Sequence, residues 1–246
     1  RNTVTNTGDE FSLAVSGVTG DILVNENIVS GSNGLGIGVV GFNGSATIVD
    51  NQVSNIEEMG IVVGDPGGGG SSGNVVISRN SVTNSNTDAG IGTTGVAGDV
   101  PINDKHTPNT DSTGIFAYQI DGDVLLGNNN ITNAGEEGAF AGLITVNVVA
   151  TGNNIQGPGD FGFQFFSVND GVTFQNNVVN NAVTEGAIFA NVGGNVLATS
   201  NELTNLGSAG FRFQGGTANV TTQGNVIDNV GDAAFTIAQV NGNINV

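Results

Sequence analysis

The amino-acid sequence predicts an all-β solenoid of about ten stacked turns, and three observations support this prediction. An asparagine recurs about every 24 residues along the whole chain. Between these asparagines, apolar and polar residues alternate in short runs, which is the pattern of β-strands. Glycine, asparagine and aspartate bound each run, so no segment is long enough for an ordinary helix. Ten copies of one such unit indicate a stack of turns.

The recurring asparagine defines position zero of each turn and predicts a column of amides at one corner. Its amide can donate a hydrogen bond to one neighbouring turn and accept one from the other. Asparagine also tolerates the left-handed backbone of a sharp corner, and Gly31 and Gly157 meet the same demand four positions later. Lys105 takes position zero in the fifth turn. The predicted ladder consists of Asn2, Asn27, Asn51, Asn80, Asn129, Asn153, Asn177, Asn201 and Asn225.

Two alternating apolar pairs in each turn predict two further strands beside the one that follows the asparagine. One pair precedes the asparagine by five and three residues, as do Val172 and Phe174. The other follows by ten and twelve residues, as do Phe163 and Phe165. These features resemble the right-handed parallel β-helix superfamily of pectate lyases, pectin lyases, polysaccharide epimerases and many surface adhesins. The resemblance covers essentially all of the chain and implies a right-handed single-stranded parallel β-helix, but it does not imply one activity.

A single domain, residues 1–246, is predicted, with two departures from the period. A glycine-rich insertion at residues 64–73 predicts a surface loop at a corner. The second departure is a degenerate turn at residues 99–118, which holds the only lysine and the only histidine. Asp104, Lys105 and His106 are therefore a candidate local site. A bulged corner without a function explains the same residues, because a lone histidine is weak evidence.

Half of the 22 acidic residues fall six to eight positions after position zero, between two strands. In register they form a vertical stripe of like charge, which favours counterions. Weak Ca²⁺ sites are one interpretation, since this ion prefers oxygen ligands, and a solvated edge is the other. No other feature calls for a cofactor. The stripe comprises Asp9, Glu10, Glu57, Glu58, Asp88, Asp111, Glu136, Glu137, Asp160, Glu185 and Asp232.

The net charge of −18 argues against binding to nucleic acid or to an anionic membrane, because both need basic patches. No apolar run is as long as a membrane span. The composition, without cysteine, is typical of secreted repeat proteins, and we expect an extracellular or cell-surface location. The chain begins with Arg1 and not with methionine, which indicates a processed protein or a segment of a longer one.

An enzymatic role is not favoured. Eliminative cleavage of a uronic-acid polymer needs a positioned base, usually arginine or lysine, and Arg79 and Arg212 fall on different faces of the predicted stack. Glycoside hydrolysis needs two suitably spaced carboxylates, one with a raised pKa, which the stripe could supply only by chance. No tryptophan and no aromatic platform accompanies these carboxylates, and nearly every turn is too short to build a cleft wall.

Neither end shows the polar or helical cap that normally closes a repeat stack. We therefore expect a structural extracellular protein whose copies stack end to end into a fibre and also associate laterally. The alternative is an excised segment of a larger surface adhesin or polysaccharide-binding protein, and a polysaccharide lyase or hydrolase is the least favoured interpretation. The residues expected to meet at the ends are Arg1, Asn2, Val4, Ile244 and Val246.

Overall fold

A computed structural model describes residues 1–8, 10–65 and 70–246. Within these residues the chain forms three parallel sheets of ten strands each. Each turn gives one strand to each sheet, and each strand pairs with the equivalent strands of the neighbouring turns. The predicted all-β solenoid of ten turns, with about 24 residues and three strands per turn, is confirmed. No helix in the described part of the chain is long and apolar enough to cross a membrane.

The strands are numbered β1 to β30 along the chain and are grouped here by sheet. The first sheet follows the recurring asparagine and contains β1 Thr3–Thr5, β4 Ile28–Ser32, β7 Gln52–Ile56, β10 Ser81–Ser85, β13 His106–Thr110, β16 Asn130–Ala134, β19 Asn154–Gln156, β22 Val178–Asn180, β25 Glu202–Leu206 and β28 Val226–Val230. The second contains β2 Leu13–Ser16, β5 Ile37–Val40, β8 Ile61–Gly64, β11 Ile91–Val96, β14 Ile115–Ile120, β17 Ala139–Ile144, β20 Phe163–Val168, β23 Ala187–Ala190, β26 Phe211–Gln214 and β29 Phe235–Ala238. The third contains β3 Ile22–Asn25, β6 Ala46–Val49, β9 Val75–Ser78, β12 Val100–Asn103, β15 Val124–Gly127, β18 Val148–Thr151, β21 Val172–Gln175, β24 Val196–Thr199, β27 Val220–Gln223 and β30 Ile244–Asn245.

The core is a narrow column of inward side chains from all three sheets. In the seventh to ninth turns it is aromatic: Phe163 meets Phe174 edge-on with ring centroids 4.9 Å apart, and Phe189 stacks on Phe213 at 5.0 Å. Such aromatic pairs contribute about 0.5–1.5 kcal/mol each beyond the area they bury. Because successive residues of a strand point to opposite faces, the residues between these phenylalanines point outward.

The predicted ladder of asparagines forms at the corner between the third and first sheets. The Nδ2 atom of Asn129 donates to Oδ1 of Asn153 at 2.9 Å, and Nδ2 of Asn153 donates to Oδ1 of Asn177 at 2.8 Å. Each Oδ1 also accepts the backbone N–H of the preceding asparagine, at 3.0 Å in both cases. The side chains are fully buried, so water does not compete for these bonds. Equivalent bonds link Asn2, Asn27, Asn51 and Asn80, and also Asn177, Asn201 and Asn225.

The left-handed residues are not the ladder asparagines, which corrects the sequence-based expectation. Positive φ occurs at the residue before the ladder asparagine, as at Asp50 (55°) and Arg79 (51°). It also occurs at the residue four positions after the ladder asparagine, as at Asn55 (55°). Gly31 and Gly157, with φ of 70° and 63°, adopt this conformation as predicted. The ladder asparagine uses its backbone N–H to donate along the stack, so the chain bends at the residue before it.

Lys105 interrupts the ladder between the fourth and fifth turns. Its backbone N–H still donates to Oδ1 of Asn129 at 3.1 Å, but it has no side-chain oxygen to accept from Asn80. The Lys105 side chain is only 2% exposed, and its Nζ atom has no hydrogen-bond partner among the described residues. The strands on both sides keep their register, with Ser81 opposite His106 and His106 opposite Asn130. The fifth turn is therefore complete in its backbone and defective in its ladder.

The predicted insertion at residues 64–73 begins at Gly64, the last residue of β8. Residues 66–69 lie outside the described part of the chain. On the far side, the Ser71 N–H donates to the Gly95 carbonyl at 2.8 Å, and Ser72 Oγ donates to Asn43 Oδ1 at 2.7 Å. Both contacts join neighbouring turns, so the end of the insertion belongs to the stack.

Candidate functional site

The outer face of the second sheet carries an aromatic cluster formed by Phe116, Tyr118 and Phe140. Phe116 on β14 and Phe140 on β17 are register partners. Their rings stack with centroids 5.2 Å apart and 12° between the planes. The Tyr118 ring lies 5.8 Å from that of Phe116. All three side chains are half-buried, so part of each ring faces solvent.

The alternation of β14 explains why these rings lie outside. Ile115 and Ala117 point inward and are fully buried, which leaves Phe116 and Tyr118 on the opposite face. Gly142, the register partner of Tyr118, gives the Phe140 ring room to lie across its backbone, because an added Cβ would stand 2.6 Å from Phe140 Cζ. A side chain larger than hydrogen at this position would displace the ring from the cluster.

The aromatic cluster borders a groove of about 460 Å³. Phe116 and Phe140 form part of its wall, together with Met59, whose side chain covers Gly92 of the neighbouring turn. The remaining lining residues come from the turns between the first and second sheets and include three carboxylates. They are Asp88, Ala89, Ser112, Thr113, Glu136 and Glu137.

Hydroxyl groups of the fifth turn hold two of the groove carboxylates in place. Ser112 Oγ donates to Glu136 Oε2 at 2.8 Å, and Thr113 Oγ1 donates to Glu137 Oε2 at 2.8 Å. The second oxygen of each glutamate, Oε1, accepts no hydrogen bond from the described part of the chain. No arginine or lysine lines the groove. The groove thus combines an aromatic wall with carboxylate oxygens that retain acceptor capacity.

The acidic stripe outside the groove also alternates with hydroxyl groups. Thr184 Oγ1 donates to Asp160 Oδ1 at 2.7 Å, and Ser208 Oγ donates to Asp232 Oδ2 at 2.8 Å, in each case between neighbouring turns. These bonds stabilise the charged carboxylates without a counterion. Glu10, Glu57, Glu58 and Asp111 are exposed, and Asp9 lies outside the described residues. Among the described residues, no group of three or more histidine, aspartate or glutamate side chains is placed to hold a metal ion. Calcium binding stays a prediction.

Glu185 differs from the rest of the stripe because it is 2% exposed and forms an ion pair with Arg212. Arg79 lies at the corner before the first sheet, where its Nε donates to Asp50 Oδ1 at 2.8 Å. This hydrogen bond lowers the pKa of the Asp50 carboxyl below its usual value. The two arginines therefore serve separate carboxylates on different faces. Arg212 borders a second, smaller groove with Phe161, Gln164, Phe166 and Gln214 among its lining residues.

The three residues of the candidate local site, Asp104, Lys105 and His106, differ in exposure. Asp104 and His106 are exposed, whereas the Lys105 side chain between them is buried. Burial lowers the pKa of Lys105 to about 6, although the nearby Asp104 opposes this shift. The His106 imidazole pairs through Nδ1 with Nδ2 of Asn130, at 3.2 Å, on the outer face of the first sheet.

The residues predicted to meet at the ends of a fibre occupy the first and last turns. Asn2 donates to Asn27 at the start of the ladder, and Val4 packs partly buried against the core. Arg1 borders a small groove with Glu26 and Asp50. Ile244 in β30 and Val246 are 43% and 65% exposed.

Sequence reasoning missed the aromatic cluster because it followed the inward positions of each strand. The informative signal was at the outward positions eleven and thirteen residues after position zero. Phe116 and Phe140 share position eleven in consecutive turns, and Tyr118 is at position thirteen of the first of these. The expectation that no aromatic platform accompanies the carboxylates was therefore wrong, because in-register stacking brings the two rings into contact.

Solved structures with this architecture include an alginate lyase from Paenibacillus sp. str. FPU-7, with a TM-score of 0.65 and 13% identity over 98% of this chain and 99% of that chain. The enzymatically active domain of bacteriophage CBA120 tailspike protein 2 matches with a TM-score of 0.57 and 8% identity, over 95% of this chain and 47% of that chain. The Streptococcus pneumoniae surface protein and adhesin PfbA matches with a TM-score of 0.50 and 12% identity, over 95% and 67%.

The chain is thus a parallel β-solenoid with the architecture of pectate-lyase-like β-helix proteins. Surface adhesins and polysaccharide-acting enzymes are among its structural neighbours. At these identities the similarity shows the fold alone. No protein-family model matches the sequence, and no curated protein matches it.

Proposed function

We propose that this protein is an extracellular carbohydrate-binding solenoid that holds a sugar chain in the groove of the second sheet. The observation that supports this function best is the stacked, half-exposed pair Phe116 and Phe140 beside a rim of hydrogen-bonding carboxylates. A pyranose ring has an apolar face that packs on aromatic rings and hydroxyl groups that donate to carboxylates. A groove with an aromatic wall and a few convergent polar groups matches both properties.

The rigid stack supports this role because the wall of the groove belongs to a sheet. Ring positions are set by the register of β14 and β17, and the rim carboxylates are held by Ser112 and Thr113. Little side-chain freedom remains to be lost when a ligand binds, which favours affinity. An alginate lyase and a surface adhesin among the structural neighbours support polysaccharide recognition and an extracellular or surface location.

Binding, without cleavage, is the function we propose for this groove. Its lining contains no arginine or lysine that could abstract a proton from a uronic acid. Arg212 borders the other groove of this sheet and is paired with the buried Glu185. Two of the rim carboxylates already accept hydrogen bonds from hydroxyl groups of the protein, an arrangement that is suited to holding donors.

Replacing both Phe116 and Phe140 with alanine is expected to weaken oligosaccharide binding at least tenfold, since each stacking contact contributes roughly 1 kcal/mol. Isothermal titration calorimetry with hexamers of glucose and of N-acetylglucosamine would measure this loss. Leu125→Ala is the matched control, because Leu125 is 37% exposed in the fifth turn, the turn of Phe116, but on the third sheet. Equal affinity of the double variant and the parent chain for every hexamer, or no binding by either, would refute the proposed function.

End-to-end assembly into a fibre stays a prediction and is compatible with a carbohydrate-binding face along the rod. Negative-stain electron microscopy of the purified chain across a concentration series is expected to show rods of uniform width whose length grows with concentration. Short particles of constant length at the highest concentration would contradict assembly. Lateral contact through the outward residues of the third sheet, such as the 67% exposed Leu23, would appear as bundles of rods.

A further inference from the structure

The charged side chains that line the groove of the second sheet are all carboxylates, and their negative charge restricts which sugars fit the groove. Asp88, Glu136 and Glu137 line the groove, and no cationic side chain lines it with them. Of the four basic residues of the chain, Arg79 is bound to Asp50, Arg212 is bound to Glu185, and Lys105 is buried in the ladder corner. The fourth, Arg1, borders a different groove in the first turns, beside Glu26 and Asp50. The rim carboxylates are therefore not neutralised by an arginine or lysine.

The aromatic wall of the groove, like its carboxylates, favours a positively charged ligand. The side chains of Phe116, Tyr118 and Phe140 are half-buried, and the exposed part of an aromatic ring face attracts an ammonium group placed within about 6 Å of the ring centre. Carboxylates and aromatic faces together form the environment in which proteins bind ammonium groups. A uronic-acid carboxylate would meet repulsion from the rim and from the electron-rich ring faces.

We infer that the groove selects chains of a protonated amino sugar, such as glucosamine, over chains of a uronic acid. This inference rests on the proposed carbohydrate-binding function and names the sugar class. In the bound state, the pyranose ring packs on Phe116 and Phe140, and its ammonium group donates to Oε1 of Glu136 or Glu137. Those oxygens accept no hydrogen bond from the described chain, so the ammonium group displaces no protein donor.

The test compares hexamers of equal length that differ in charge: glucosamine, N-acetylglucosamine and mannuronate. Calorimetry with the full chain at about pH 5.5 and low salt keeps the sugar amine protonated, because this pH lies well below the pKa of an ordinary amine. The glucosamine hexamer is expected to bind on the order of tenfold more tightly than its acetylated counterpart, and the mannuronate hexamer more weakly than both. Added salt should reduce the first difference, because the rim is open to solvent.

Two double variants separate the groove from the overall charge of the chain. Glu136→Gln with Glu137→Gln should abolish the preference for glucosamine, so that this variant binds the charged and the acetylated hexamers with equal affinity. Asp160→Asn with Asp232→Asn removes the same amount of charge from hydroxyl-bonded carboxylates of the same stripe outside the groove. This control variant should retain the preference.

Each remaining result bears on one of the two proposals. Equal affinity for the charged and acetylated hexamers, or equal losses in both double variants, would overturn the amino-sugar assignment and leave carbohydrate binding intact. Failure of every hexamer to bind would overturn carbohydrate binding itself. A lysine hexapeptide that binds as tightly as the glucosamine hexamer, with the same loss in the Glu136 and Glu137 variant, would show a general cation site and overturn the assignment to a sugar.

Discussion

Replacing Lys105 with asparagine is expected to raise the free energy of unfolding by about 4 kcal/mol at pH 7. The asparagine would supply the Oδ1 acceptor that Asn80 lacks and restore the ladder between the fourth and fifth turns. It would also remove a buried amine whose Nζ has no partner among the described residues. Urea titrations of both chains would measure the difference.

The same variant should change how stability depends on pH. Burial lowers the pKa of Lys105 from 10.5 to about 6, while Arg79 lowers it further and Asp104 and Asp50 raise it. Between these two pKa values the unfolded chain binds a proton that the folded chain does not. Stability therefore rises with pH across this window, by about 1.4 kcal/mol per pH unit, and the contribution of the lysine is most unfavourable below pH 6. The advantage of Lys105→Asn should shrink by this amount for each pH unit above 7.

Lys105→Met separates the two causes. Methionine keeps an apolar stem and removes the amine, but it offers Asn80 no strong acceptor. It should abolish the pH dependence and stabilise the chain less than asparagine does at pH 7. If the parent chain and Lys105→Asn have parallel stability curves from pH 6 to pH 9, the lysine is charged in the folded state and the expectation is wrong.

Replacing Asn153 with alanine in the intact part of the ladder is expected to lower the free energy of unfolding by about 4 kcal/mol. The change removes the Oδ1 that accepts both the backbone N–H and Nδ2 of Asn129. It also removes the Nδ2 that donates to the Leu126 carbonyl and to Asn177 Oδ1. All of these groups are buried, so water cannot replace the lost partners.

Asn154→Ala is the matched control for this prediction. Asn154 is the next residue, lies partly exposed on the first sheet, and donates from Nδ2 to Asn130 Oδ1 at 2.9 Å. Its loss should cost less than about 1 kcal/mol, because water can satisfy the exposed partner. Equal losses in the two variants, measured by urea titration, would mean that the ladder contributes no more than surface amides do.

The repeat made the fold predictable because a stack of turns imposes the same environment on each equivalent residue. Phe163, Phe165 and Phe174 were expected to point inward, and all three are fully buried. The ladder was expected because an amide both donates and accepts along a stack. The location of the left-handed corner at Asp50 and Arg79 was not predicted, because aspartate tolerates positive φ but arginine is not typical of it, so the residue types mark no common corner position. There the hydrogen bonds of the neighbouring asparagine, and not local preference, determine the backbone.

The functional site was much less predictable. The sequence placed Asp88, Glu136 and Glu137 in one stripe, and the structure stacks them along one edge. It did not show that Phe116 and Phe140 stand beside them, because this contact depends on which residues of a short strand face outward. Conversely, Asp104, Lys105 and His106 are adjacent in the sequence but differ in environment, because Lys105 is buried and the residues on both sides of it are exposed.

By itself, the sequence determined the period, the number of turns, the three strands of each turn and the column of asparagines. These features recur in nearly every turn, so the single degenerate turn at Lys105 did not hide them. Only the tertiary structure decided that Glu185 is buried against Arg212 and that two rings and three carboxylates line one groove. It also decided that the Nζ atom of Lys105 is buried without a hydrogen-bond partner among the described residues. Such contacts join residues at least one turn apart through side chains that occur once. These contacts depend on the register of the strands and on the face that each side chain occupies. A periodic pattern does not show what a side chain contacts when its residue type occurs at that position in only one turn.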